Sequence, residues 1–163
     1  MFLKIKKTEY SPKEKPVLIW DGTCGFCKFW IIRLQITTKD NIAYLPYQDA
    51  ADRYKDIPVK EFKKASRLIE PNGKVFSGPD SFYRSLKYTS IKSPWHNWYQ
   101  NSKWFSKSSD HTYIFIAKNR ALLFKLTKVC FGKNPTNLKH YWLIYLAILV
   151  FVVIIALHTL SQH

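Results

Sequence analysis

Residues 16–38 read Pro16-Val-Leu-Ile-Trp20-Asp21-Gly22-Thr23-Cys24-Gly25-Phe26-Cys27-Lys28-Phe-Trp30-Ile31-Ile-Arg33-Leu34-Gln-Ile-Thr-Thr38, and the fold turns on how they are read. Val17 to Trp20 is a short apolar run that stops at Asp21-Gly22, the pattern of a buried strand followed by a turn. From Cys24 to about Thr37 the apolar positions Phe26, Trp30, Ile31 and Leu34 are spaced as on one helical face, with Lys28 and Arg33 on the wet side. Thr23, or Asp21 acting through a turn, can cap the start of that helix.

Further along, Asn41 to Tyr47 reads as a second strand, and Asp49 to Lys64 as a loop with a short helix. Ser66 to Glu70, then Pro71-Asn72-Gly73, then Lys74-Val75-Phe76 predicts a β-hairpin, with Asn-Gly supplying the positive-φ positions of a tight turn. Ser77-Gly78-Pro79 ends the hairpin, and a helix begins at Asp80, a candidate cap. Lys92 to Lys107 holds Trp95, Trp98, Tyr99, Trp104 and Phe105 among basic and polar residues, and Thr112 to Val129 is again helical in pattern. The order strand, helix, strand, helix, hairpin, helix predicts an α/β fold, a small sheet flanked by helices.

The two cysteines at the strand-to-helix turn are the candidate site. A sulfur at a helix N-terminus meets free N–H groups and the positive end of the macrodipole, both of which favour a thiolate. Two intervening residues let the sulfurs close a small ring on oxidation, and Gly22 and Gly25 keep bulk away from Cys24. Cys24 is therefore the expected nucleophile toward a foreign disulfide and Cys27 the resolving thiol. Asp21 can pass a proton during resolution or merely cap the helix, and the residues leave both open. Its negative charge, close and unpaired, would raise the pKa of Cys24. Half of a zinc site is the rival reading. A structural zinc needs four ligands, however, and His96, His111, His140 and Cys130 show no second paired spacing. Two inert core cysteines are the other rival. No metal or cofactor is expected, and Cys130 reads as a buried or membrane-proximal apolar residue.

Lys and Arg number 26 against 11 Asp and Glu in 163 residues, a formal net charge of +15. Such a field favours an acidic partner without choosing among nucleic acid, anionic membrane and acidic protein. Three cysteines are too few for a disulfide-stapled secreted scaffold. Residues 1–15 hold no apolar run of signal-peptide length and read as a mobile basic arm or a frayed terminus. Tyr141 to Leu160 contains no Asp, Glu, Lys or Arg and would rise about 30 Å as a helix, the thickness of a bilayer core. Tyr141, Trp142 and Tyr145 stand at its start, where amphipathic rings prefer headgroups. Arg120, Lys125, Lys128, Lys133 and Lys139 precede it, so the expectation is a single-pass membrane protein with its N-terminal domain facing the cytoplasm. The expected organisation is a basic arm over 1–15, an α/β domain over 16–138 and a membrane anchor over 139–163.

The stretch Val17 to Cys27, with Gly73-Lys-Val-Phe-Ser-Gly78-Pro-Asp-Ser81 and Tyr113-Ile-Phe-Ile-Ala-Lys-Asn-Arg120, resembles the DCC family of thiol-disulfide oxidoreductases, named for an Asp-x-x-Cys-x-x-Cys motif after the first strand. The likeness runs from about Pro16 to Arg120. It implies a thioredoxin-like fold, disulfide reductase activity, and Asp21, Cys24 and Cys27 as motif residues, with Arg120 structural or functional. The plain reading of Arg120 is a helix-end cation meeting carbonyls. Where thioredoxins carry a cis-proline this chain has Ala65 and Ser66, so substrate docking is expected to differ.

The expected function is a membrane-tethered thiol-disulfide oxidoreductase. Its expected partners are a protein or small-molecule disulfide, a thiol electron donor and the lipid bilayer, with nucleic acid disfavoured. The competing reading is a non-enzymatic basic, Trp-rich adaptor that binds membrane or nucleic acid through Lys92 to Lys107. A phosphatase-like site, suggested by an Asp after a strand, lacks the second Asp, since Thr23 stands there.

Overall fold

A computed structural model describes residues 2–160, with side chains described through Ile154. The chain forms two compact units, residues 1–120 and 121–163. In the first, β1 (Val17–Trp20) leads into α1 (Gly25–Thr38), and β2 (Ala43–Pro46) follows. Two short helices come next, α2 (Tyr47–Ala50) and α3 (Val59–Lys64). A hairpin of β3 (Arg67–Ile69) and β4 (Val75–Ser77) precedes α4 (Pro79–Ser85), α5 (Trp95–Asn101) and α6 (Lys103–Lys118).

The four strands form one sheet in the order β2-β1-β3-β4. β1 and β2 are parallel, joined by the α1 crossover, while β1–β3 and β3–β4 are antiparallel. The fold is thioredoxin-like, a mixed sheet with flanking helices. β1 is central and covered on both faces, which is why its residues form a continuous apolar run instead of alternating. Val17 and Ile19 join Ile69, Val75, Tyr54, Ile57 and Phe62 on one side, and Leu18 joins Leu34, Ile42 and Leu68 on the other.

Several local expectations are corrected. The buried face of α1 is Phe29, Leu34 and Thr38, while Trp30 is exposed. Leu34 packs with Leu18, Ile42 and Leu68, and Ile31 packs against that cluster, so the covered face is centred away from Trp30. The hairpin turn is wider than a two-residue Asn-Gly turn. Gly73 N–H donates to Glu70 C=O and Glu70 N–H to Lys74 C=O, and of the loop residues only Gly73 has positive φ, at 78°. That is a type I turn closed by a glycine bulge. The helical stretch expected over Thr112 to Val129 is broken at Asn119, whose side chain turns back to the Phe115 carbonyl. Asp80 does not cap α4, since Gly78 occupies that position with φ 61°. Asp80 instead lies buried in the first turn, accepting from His96 Nδ1 at 2.8 Å and Gln100 Nε2 at 2.7 Å.

Residues 2–8 of the basic start are packed, where a mobile arm or frayed terminus was expected over residues 1–15. Phe2 is buried, Leu3 N–H donates to Glu61, and the backbone pairs with the free edge of β4 through Val75 N–H to Lys6 C=O and Thr8 N–H to Gly73 C=O. An edge strand leaves unpaired N–H and C=O groups, and this segment satisfies them.

The second unit contains most of α7 (Arg120–Phe131), whose first residue closes the first unit, and α8 (Tyr141–Leu160). A loop joins them, with Gly132 at φ 83° and Lys139 N–H donating to Phe131 C=O. The segment expected to span a membrane is a helix. Among the described residues, however, no helix is long and apolar enough to cross a membrane. Side chains of this segment are described from Tyr141 to Ile154. The remainder of the expected span lies outside the described side chains, and residues 161–163 lie outside the described residues altogether.

Candidate functional site

The site is built where β1 ends. Burial of the strand on both faces carries the chain to the edge of the sheet at Trp20, and Asp21 to Thr23 turn it into α1. Cys24 N–H donates to Asp21 C=O at 3.1 Å, and Lys28 N–H to Cys24 C=O at 2.9 Å, so the helix is already wound when the second cysteine arrives. The residue that caps α1 is Cys24 itself, its Sγ accepting the N–H of Cys27 at 3.2 Å. Neither Thr23 nor Asp21 fills that place. A sulfur at the N-cap stands in for the usual hydroxyl or carboxylate oxygen, and a thiolate is the better acceptor there.

Both thiols are free and half-buried. The Cys27 thiol hydrogen-bonds to Cys24 and is the largest influence lowering the Cys24 pKa, which falls to about 6 from an ordinary 9.0. Burial opposes that shift, while the Cys27 amide and the Arg120 guanidinium reinforce it. Asp21 opposes it weakly, in the direction its charge requires. Cys27 moves the other way. Its hydrogen bond to Cys24, its burial and the neighbouring negative charge all hold its proton in place. One sulfur is therefore primed as an anion and the other kept as a thiol. This division of roles comes from a shared proton and one helix terminus.

Arg120 and Asp21 complete the electrostatics. Arg120 Nη1 lies 3.1 Å from Asp21 Oδ2. Arg120 is the first residue of α7, so it does not stand at a helix C-terminus meeting carbonyls, as its plain reading held. Burial works against its charge, but Cys27, Cys24, Tyr113 and Asp21 outweigh that and raise its pKa. Asp21 is fully engaged. Its Oδ1 accepts from Thr23 N–H at 3.2 Å and Thr23 Oγ1 at 2.8 Å, and from Gln48 Nε2 at 3.3 Å. The carboxylate thus ties the turn to Arg120 and is not the unpaired neighbour that would oppose the thiolate strongly.

Three contributors escaped the reading of the sequence. Gln48 of α2 braces the turn, its Oε1 accepting from Gly22 N–H at 3.1 Å. Gly22 is required less for access to Cys24 than for space, because a Cβ there would meet Pro46 Cβ at 2.7 Å. Tyr113 of α6 is half-buried, its hydroxyl accepting from Ser66 N–H at 3.0 Å, and Ser66 Oγ lies 2.8 Å from Ser81 Oγ. Burial raises the Tyr113 pKa, and the charge of Cys27 adds to that. Ser66 was visible only as the residue standing where a proline was expected, and Tyr113 only as part of a quoted segment. Pattern alone gives no signal that brings positions 66, 81 and 113 together. Cys130 belongs to the second unit and is half-buried and free. Among the described residues no group of three or more His, Cys, Asp or Glu is placed to hold a metal ion.

A family model described as DCC1-like thiol-disulfide oxidoreductase matches residues 18–126, a stretch that contains Asp21, Cys24, Cys27 and Arg120. No curated protein and no solved structure matches the chain.

Proposed function

The chain belongs to the DCC1-like thiol-disulfide oxidoreductase family, and from that premise we propose that it reduces disulfides through Cys24 and Cys27. The observation that most directly supports this is the Cys24 sulfur at the helix cap, accepting the N–H of Cys27 at 3.2 Å. In the proposed reaction the Cys24 thiolate attacks one sulfur of a substrate disulfide. A Cys24–substrate disulfide forms, the substrate S–S bond breaks, and the departing thiolate takes up a proton. Cys27 then loses its proton and attacks Cys24 Sγ. The Cys24–Cys27 disulfide forms and the second substrate thiolate leaves. The substrate gains two electrons, the protein loses two, and an external thiol or dithiol donor restores it. Arg120 stabilises the Cys24 anion, and Asp21 holds Arg120 and the turn in position.

Insulin-disulfide reduction by the full chain tests this reading. Cys24→Ser is expected to be inactive, and Cys27→Ser to accumulate a mixed disulfide visible on a non-reducing gel. Unchanged turnover in both variants removes the proposal.

Attachment to a membrane, with the domain on the cytoplasmic side, is carried as part of the same proposal. It is supported by the exposed apolar side chains from Tyr141 to Ile154 and by Lys125, Lys128, Lys133 and Lys139 before them. A cytoplasmic setting favours reduction, because thiol pools keep cysteines reduced there. Carbonate-resistant sedimentation with membranes, lost on deleting residues 141–163, is the expected result. Full extraction of the intact chain would remove the attachment and leave the redox reading standing.

A further inference from the structure

On α4, α5 and α6, remote in sequence from the cysteines, a cluster of aromatic rings lies open to solvent. Phe82, Trp95 and Trp98 are each about half exposed, and Trp104 is 78% exposed. The rings lean on one another. Tyr83 stacks on Trp95 at 5.9 Å, and Phe105 contacts Tyr83, Trp95 and Trp98 at 5.8–6.0 Å between centroids. A folded domain seldom leaves a contiguous apolar surface of this kind without a partner.

The charge around the cluster has one sign. Between positions 87 and 107 the sequence carries Lys87, Lys92, Lys103 and Lys107 and no Asp or Glu. Lys92, Lys103 and Lys107 are exposed. The two carboxylates of the neighbouring helices face inward. Asp80 is buried against His96 and Gln100, and Asp110 against Tyr99 and Lys4. What solvent meets is therefore Trp rings and ammonium groups together.

We propose that this aromatic and lysine surface docks onto an anionic lipid bilayer. Trp rings settle at the headgroup level, where one edge is apolar and the other wet, and lysines beside them are drawn to negative lipid. A base-stacking site for nucleic acid would need open ring faces at intervals along a strand. Here Tyr83 stacks on Trp95 and Trp98 meets Phe105 edge to face, so the clustered rings are turned toward one another and not spaced along a strand. The proposal does not depend on the redox reading.

Hydrogen exchange of the full chain tests it, read over residues 95–107 in vesicles of neutral phosphatidylcholine and in vesicles containing phosphatidylserine. The C-terminal helix and the lysines before it are present in both arms and in the variants, so the loss caused by substitution at 103 and 107 reports this surface. Slower exchange at 95–107 with phosphatidylserine than with neutral lipid is expected. Lys103→Gln with Lys107→Gln should then need roughly thirtyfold more anionic lipid for half-maximal protection, and Trp104→Ser should weaken protection in both proportion and depth. Trp104 is 78% exposed, so its loss leaves the fold intact, which an unchanged urea unfolding midpoint checks. Equal exchange in the two vesicles overturns the proposal. So does protection that ignores these variants, or protection by a single-stranded oligonucleotide in place of vesicles.

Discussion

At Cys24 the ordering of influences on the thiol makes a quantitative expectation. Alkylation by iodoacetamide should follow a single titration with its midpoint at about 6. Replacing Cys27 by Ala removes the strongest lowering contact, and Arg120→Gln a weaker one. Both should raise the midpoint, Cys27→Ala by more. A midpoint near 9 in the wild type, or a larger shift from Arg120→Gln, would show that the Cys27 contact does not dominate. The same thiol links pH to stability. Its pKa is lower in the folded state than the ordinary 9.0, so its contribution is fully present above that value and is lost as pH falls through about 6. The stability gap between wild type and Cys24→Ser, measured by urea unfolding under reducing conditions, should therefore widen from pH 6 to pH 9. Asp21, Cys24 and Cys27 were legible as a group because they sit within one turn of chain. The Asp21–Arg120 pair was not legible, because 99 residues separate its partners.

Among the elements, the junction between β4 and α4 depends on Gly78. Its φ of 61° belongs to a region that L side chains avoid, and an added Cβ would lie 2.5 Å from Phe2 Cζ. Gly78→Ala should destabilise by about 3 kcal/mol, combining backbone strain with overpacking. Urea denaturation measures it, and a loss below about 1 kcal/mol would mean that Phe2 and the turn both relax. The order of strands, helix and hairpin over residues 17–77 was readable because period, length and turn residues act locally, while the second strand, expected over Asn41 to Tyr47, is trimmed to Ala43–Pro46 by a helix that begins at Tyr47. The rotation of α1 was not. Phe26, Trp30, Ile31 and Leu34 satisfy a helical period as well as Phe29 and Leu34 do, and only the sheet beneath decides which set is covered.

For the molecule as a whole, the central sheet encloses an ion pair. Arg67 and Glu61 are almost wholly buried with 3.3 Å between Nη2 and Oε2, and Arg67 also donates to the Leu3 carbonyl and to Ser77. Glu61 further accepts from Leu3 N–H and Lys64. Glu61→Gln leaves a buried guanidinium without its counter-charge, and the cost should be about 3–5 kcal/mol. Thermal unfolding checks it, and a change below about 1 kcal/mol would show that water reaches Arg67. Through this pair the first residues of the chain are tied to its core. That packing explains why the basic start is ordered although its composition resembles a loose tail.

Sequence alone determined the α/β order, the buried first strand and the pairing of two thiols at a helix start, since each depends on residues within a turn or two of one another. Tertiary structure decided that the cysteine sulfur caps its own helix, that Arg120 is the cation beside it, and that the N-terminal segment completes the sheet edge. These depend on which distant side chains a closed core brings within a few ångströms, and no local pattern encodes that proximity.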